Sequence, residues 1–464
     1  MSNTPTEKDG AIYDAKQLGM PKMLVLGLQH MFAMFGATIL VPILVNSYFH
    51  GEGLSIQVTL FFAGVGTLFF HICAKLKVPA FLGSSFAFLG GFATVAELNS
   101  GIFADMTYGE KLPYACGGIV VAGLLYLVLA LVIRLVGVKR VMRFLPPVVT
   151  GPIIICIGLS LAGSAINNAQ TNWFLALVAL IVIIVFNIWG KGMFKIIPIL
   201  MGVLISYAVA LAMQFAGMTN PDGSTIIDFT STASSAWVGL PDFILCKFNL
   251  TSVLVMAPIA IATMMEHIGD MSAISATVGE NFLEDPGLHR TLVGDGLATA
   301  LSAFFGGPAN TTYGENTGVL ELSRVFDPAV IRIAAVYAVV LSFVPKFASI
   351  IGSMPASIIG GVSFILYGMI SAIGIRNVVE NRVDLTNSRN LIIAAVILVC
   401  GLGFSSGLTF EIAGTSITLT SLAIASIAGV LLNAILPGND YEFGVSPEGD
   451  MNRGVTLKAR HRKD

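Results

Sequence analysis

Long apolar runs separated by short polar stretches follow one another along most of the chain. At about 20 residues per bilayer crossing, they predict roughly fourteen membrane-spanning segments. In the first half these begin near Lys22, Ser55, Pro79, Pro113, Phe144, Thr171 and Phe194. In the second they begin near Asn249, Leu288, Pro308, Asp327, Met354, Asn387 and Ser416. The polar start, residues 1–16, has neither the apolar core nor the cleavage site of a signal peptide, so the first span is expected to be retained. The fold class this implies is an all-α polytopic membrane protein.

Two of the segments are short and interrupted. Residues 306–318, GGPANTTYGENTG, sit between the apolar runs 291–305 and 329–344 and carry an acid, Glu315. Pro308 cannot donate a backbone hydrogen bond and the glycines bend easily, so a continuous helix is not expected there. A surface loop is the alternative. The counterpart is residues 78–88, VPAFLGSSFAF; aligning Pro79-Ala80 with Pro308-Ala309 puts Phe86 opposite Glu315. Upstream, Leu28-Gln29-His30-Met31 matches Met265-Glu266-His267-Ile268, and downstream Pro146 and Gly151 recur as Pro355 and Gly360.

Matches in the same order predict two related halves. The division is a tail 1–21, a first repeat 22–217, a linker 218–248, a second repeat 249–437 and a tail 438–464. Seven segments per half is an odd number, so the second repeat is expected upside down relative to the first. With the N-terminus in the cytoplasm, all but Lys111, Lys247 and Lys346 of the 25 Lys and Arg residues fall on the cytoplasmic side. The cluster Lys139, Arg140 and Arg143 and the basic tail 458–463 drive that bias, which places both termini inside and the linker outside.

Composition agrees. Hydrophobic residues make up 55% and charged residues 11% of 464 residues, against about 25% charged in a soluble domain; mean hydropathy is +0.84. A net charge of −2 without a long basic run gives no nucleic-acid footprint. The five cysteines have no paired spacing, which fits buried thiols rather than disulfides or a metal site. No nucleophile–base pair lies in the spans, so no enzyme activity is expected.

The chemistry lies in the acids. Glu266 ends the apolar run 250–265, and Asp270, four residues on, shares its helix face. A carboxylate at mid-membrane costs about 2.5–3.5 kcal/mol on insertion scales; Asp270 in water at the helix end is the bland alternative. A neutral, planar, hydrogen-bonding ligand suits such acids, because carboxylates accept N–H bonds while a broken helix frees backbone N–H groups for carbonyls. Phe86, Tyr313 and Tyr367 could cover its ring faces. His30 and His267 read as bridges between helices; His71 and Asp295 have no assignable role.

These motifs, together with Asp285-Pro286-Gly287 and the stretch 360–368, GGVSFILYG, resemble the nucleobase–ascorbate transporter (nucleobase:cation symporter-2) family over residues 21–436. Its purine and xanthine members usually carry Gln where this chain has Glu315, so the acid points to the pyrimidine branch. The resemblance implies core and gate domains, with a short antiparallel strand in segments 3 and 10. It implies that Glu266 and Glu315 accept hydrogen bonds from uracil N–H groups. Backbone N–H groups at Phe86 and Gly314 would meet its carbonyls, Tyr313 and Tyr367 would shape the pocket, and Ser85, Asn316, His30 and His267 would support it. Import with protons, no cofactor beyond the proton gradient, homodimers and a bacterial inner-membrane location follow from the same resemblance. One position departs: Asp270 stands where the uracil-transporting pattern has His. Proton coupling is assigned to Asp270 or Glu266, with Glu315 open as a carrier. Another nucleobase, xanthine included, and an anion channel on a related scaffold are the competing readings.

Overall fold

The computed structural model describes residues 11–438, apart from 405, 406, 413 and 414. The ends of both expected tails, with the basic cluster 458–463, lie outside the described residues. Among the described residues, seven helices are long and apolar enough to cross a membrane: Met20–Tyr48, Ile56–Cys73, Tyr108–Val136, Pro147–Gln170, Pro198–Phe215, Leu250–Val278 and Ala356–Glu380. Shorter apolar helices include Trp173–Trp189, between two of them, and Ser388–Gly403 and Ser421–Ile435, after the last. Their starts follow local chemistry. Ser55 caps Ile56–Cys73 by accepting from the Val58 N–H, and Thr107 and Glu110 form a capping box at the head of Tyr108–Val136.

Most of the helices fall into two packed groups, with Leu250–Val278 against members of both. Met20–Tyr48, Ile56–Cys73, Tyr108–Val136, Leu288–Phe304 and Pro328–Ser342 form one. Pro147–Leu159, Ala162–Gln170, Trp173–Trp189, Pro198–Phe215, Ala356–Glu380, Ser388–Gly403 and Ser421–Ile435 form the other. Each has a crossing at which two glycines let backbones touch. A Cβ on Gly123 would lie 2.6 Å from the Gly296 carbonyl, and one on Gly374 would lie 2.7 Å from the Gly151 carbonyl. Without a hydrophobic force between helices in lipid, such close approach is a main source of packing energy.

Both interrupted segments are strand-then-helix units. Strand β1 (Leu82–Ser84) pairs antiparallel with β2 (Asn310–Thr312), with Gly83 opposite Thr311. β1 begins three residues after Pro79 and β2 two after Pro308. This extra residue corrects the alignment read from the sequence: the first helical residue after each strand is Phe86 or Gly314, so Phe86 corresponds to Gly314 and not to Glu315.

Two further differences stand out. The last span was expected near Ser416, but Leu408–Ile412 (β3) and Thr415–Leu419 (β4) form a hairpin and the helix begins at Ser421. Apolar residues alternating with polar ones, as in Leu408–Ile412, favour a strand, so among the described residues the helical fold carries this second small sheet besides the one formed by the expected strands of segments 3 and 10. The span expected from Asp327 bends by 87° into a short helix, Pro345–Gly352, where Pro345 cannot continue the ladder. The linker 218–248 is tied to the first group by backbone bonds from Ile244 to Phe305, Cys246 to Phe304 and Lys247 to Pro113 at 2.9–3.2 Å.

Candidate functional site

The β1–β2 pair brings the two broken segments together, and threonines from neighbouring helices close its outer edges. Thr67 Oγ1 accepts from the Leu82 N–H (2.9 Å), and its single proton is shared between the Ala63 (2.7 Å) and Leu82 (3.2 Å) carbonyls. Thr299 Oγ1 accepts from the Asn310 N–H and donates to the Asn310 carbonyl, both at 3.1 Å. A two-stranded sheet in an apolar setting leaves edge groups that must be satisfied, and one hydroxyl per strand does this on the two halves alike. The Ser85 N–H bonds to the Ala309 carbonyl (2.9 Å) and the Tyr313 N–H to the Phe81 carbonyl (3.0 Å), extending the ladder.

Beyond the strands the chain turns into Phe86–Phe88, leading into Leu89–Ala96, and into Gly314–Ser323. Phe86 and Gly314 are first residues of helical turns, so their N–H groups have no intrahelical partner, and neither turn has a side-chain cap. Two positive helix ends thus point from one sheet. Glu315 lies in the first turn of its helix, partly accessible.

The acids approach from Ala260–Val278. Glu266 faces Thr311 of β2; Glu266 Oε2 and Thr311 Oγ1 are both buried, and neither makes a hydrogen bond of normal geometry. Asp270, one turn on, accepts from Thr312 Oγ1 at 2.6 Å. Glu266, Asp270, Asp295 and Glu315 are close enough to act on one another electrostatically. Tyr367, on Ala356–Glu380 of the other group, stands edge-on to Phe86 with ring centroids 5.9 Å apart at 75°.

Other expected residues take structural positions. The Tyr313 ring is turned onto β1, its hydroxyl donating to the Ser84 carbonyl (2.9 Å), and a Cβ on Gly83 would lie 2.4 Å from it. Asn316 Nδ2 donates to the His30 carbonyl (3.0 Å) and lies 3.2 Å from His30 Nδ1, joining Gly314–Ser323 to the first helix. His267 Nε2 is 3.0 Å from Thr291 Oγ1 and its Nδ1 2.8 Å from Asp295 Oδ2, with both side chains of that pair fully buried. Ser85 Oγ is buried without a partner. Sequence reading left Asp295 and His71 without roles; Asp295 stands against His267, and His71 Nε2 is 2.8 Å from the Ala80 carbonyl. Thr67, Thr299 and Thr312 were missed altogether, their one signal being a hydroxyl within an apolar or small-residue run.

A cavity of about 570 Å³ leads away from Asp270 and Gly314, past Thr317 and Gly318, to a mouth lined by Glu321, Arg324, Arg376 and Glu380. Arg376 bonds Glu380 on its own helix (2.6 Å).

The sequence profile of the permease family matches residues 21–410. The chain belongs to that family. It is a transporter and not an enzyme, and the resemblance read from its motifs is borne out. A uracil permease of Bacillus caldolyticus is 41% identical over 430 residues, covering 89% of this chain and 92% of its own. One from Bacillus subtilis is 39% identical, covering 88% and 91%. A putative pyrimidine permease of Escherichia coli is 36% identical, covering 94% of both. Among solved structures, the transmembrane domain of a cyanobacterial bicarbonate transporter superposes with a TM-score of 0.62 at 14% identity, over 90% of this chain and 99% of its own. SLC26A9 gives 0.62 at 12%, over 91% and 66%. At these identities the two structures share the fold and nothing further.

Proposed function

We propose that the protein imports uracil with protons, by alternating access. One observation carries the reading: β1 and β2 pair, the helical turns that follow them open at Phe86 and Gly314 with N–H groups that have no intrahelical partner, Glu315 lies in the second of these turns, and Glu266 faces Thr311 of β2. Uracil has two N–H donors and two carbonyl acceptors in one plane, and this set offers the complement of each. The names of relatives 36–41% identical support the same substrate. Phe86 and Tyr367 would flank the ring, Tyr313 and the Asn316–His30 pair would brace the turns that meet it, and Ser85 and His267 would support the pocket around it.

In this reading the group containing β1 and β2 is the core and the other the gate, arranged as fourteen segments in two inverted repeats, 22–217 and 249–437. The cavity of about 570 Å³ would be the route to the cytoplasm, with both termini on that side of a bacterial inner membrane. Asp270 or Glu266 would carry the proton, and two copies would pair as a homodimer. An anion channel is disfavoured because acids, not basic residues, stand at the broken helices. Uptake of labelled uracil into cells lacking their own permease tests the proposal. Accumulation that a protonophore abolishes is expected; uptake of xanthine in preference to uracil, or accumulation indifferent to the protonophore, would overturn it.

A further inference from the structure

A second cavity, of about 310 Å³, lies away from the transport site and is lined by Cys73, Arg134, His289, Arg290 and Val293. Three helix ends build it: the last turn of Ile56–Cys73, the last turn of Tyr108–Val136 and the first turn of Leu288–Phe304. Its lining sets Cys73 and Val293 beside two arginines and a histidine. Arg290, Arg134 and Lys75 all act electrostatically on His289, so positive charge converges on one spot. Of the two acids in the adjoining turn Leu283–Gly287, Asp285 is bonded to Lys77 and Glu284 is exposed. Among the described residues, neither Arg134 nor Arg290 makes an ion pair or a side-chain hydrogen bond.

Depth distinguishes this cluster from an ordinary solvated basic end. Leu135 and Val136 follow Arg134 and are exposed, Leu135 by 75%, as are Leu131 on the preceding turn, Ile72 at the end of Ile56–Cys73 and Leu76 just after it. Arg134 is therefore bracketed by apolar side chains that need lipid. That holds its guanidinium at the level where acyl chains meet headgroups.

We propose that this pocket binds the phosphate of an anionic phospholipid, with Arg134, His289 and Arg290 on the phosphate and the exposed leucines along an acyl chain. Basic pockets between spanning helices recognise lipid headgroups in this way, and arginine forks suit phosphate oxygens. The site is independent of which solute the protein carries.

The test uses the full-length protein in detergent, with bound lipid counted by native mass spectrometry and unfolding followed on heating. Phosphatidylglycerol should be retained and raise the melting temperature; phosphatidylcholine and inorganic phosphate should not. The double variant R134Q/R290Q should bind phosphatidylglycerol about 30-fold more weakly, with roughly fivefold for each single variant, while R134K/R290K keeps most of the effect. Equal retention of phosphatidylcholine, or a parent-like response from R134Q/R290Q or from both single variants, would overturn the proposal. A full shift with inorganic phosphate alone would make the ligand a soluble anion and overturn the lipid reading.

Discussion

Exchanging one atom tests the roles assigned to the acids. Glu266→Gln keeps the shape but replaces an acceptor oxygen by an NH2 donor that would face a uracil N–H. Losing a charge-assisted bond and opposing two donors should cost about 2–4 kcal/mol, roughly 30- to 1000-fold in uracil affinity; near-normal binding by the folded variant would remove Glu266 from the site. Asp270→Asn separates binding from coupling. Its amide oxygen can still accept from Thr312, so β2 should hold its place and uracil should bind within about tenfold of the parent. Since an amide does not titrate, accumulation driven by a pH gradient should collapse to exchange; full accumulation would move the proton to a glutamate. At this scale the acids were legible because charge is rare in this chain, at 11% of residues. The partners of His267, His71 and Asp270 were not, since each lies elsewhere in the chain and only folding brings it near.

The strand-then-helix unit is where single substitutions have the most leverage. A methyl group on Gly83 would lie 2.4 Å from the Tyr313 ring and 2.7 Å from Thr38 Oγ1. The ring cannot swing aside without leaving the Ser84 carbonyl. Gly83→Ala should therefore destabilise by about 1–3 kcal/mol, lowering both the melting temperature and uracil uptake. Gly90→Ala, seven residues on and with open space around it, should leave both nearly unchanged; if the two variants behave alike, strand packing does not set the site. Proline and glycine made both breaks legible. The one-residue difference between their turns was not, because it depends on where pairing starts. The β3–β4 hairpin was hidden because β-branched apolar residues suit a lipid-facing helix as well as a strand.

For the molecule as a whole, orientation is the simplest quantity to check. A cysteine placed in the loop 218–248 should react with an impermeant thiol reagent added outside, and one placed after Arg453 should not; the reverse pattern would overturn the orientation inferred from lysine and arginine. Recurring motifs predict two halves, but not the sorting of helices into two packed groups, because each group draws helices from both sides of residues 218–248. The pairing of β1 with β2, far apart in the sequence, has a consequence for biogenesis. Leu82 leaves the ribosome about 230 residues before Thr312, its partner. At about 5–20 residues per second, that is on the order of 10–50 seconds. Throughout that interval the inner edge of Leu82–Ser84 has no strand to bond, so the nascent first half must wait in a sheltered place, in the insertion machinery or against a membrane chaperone.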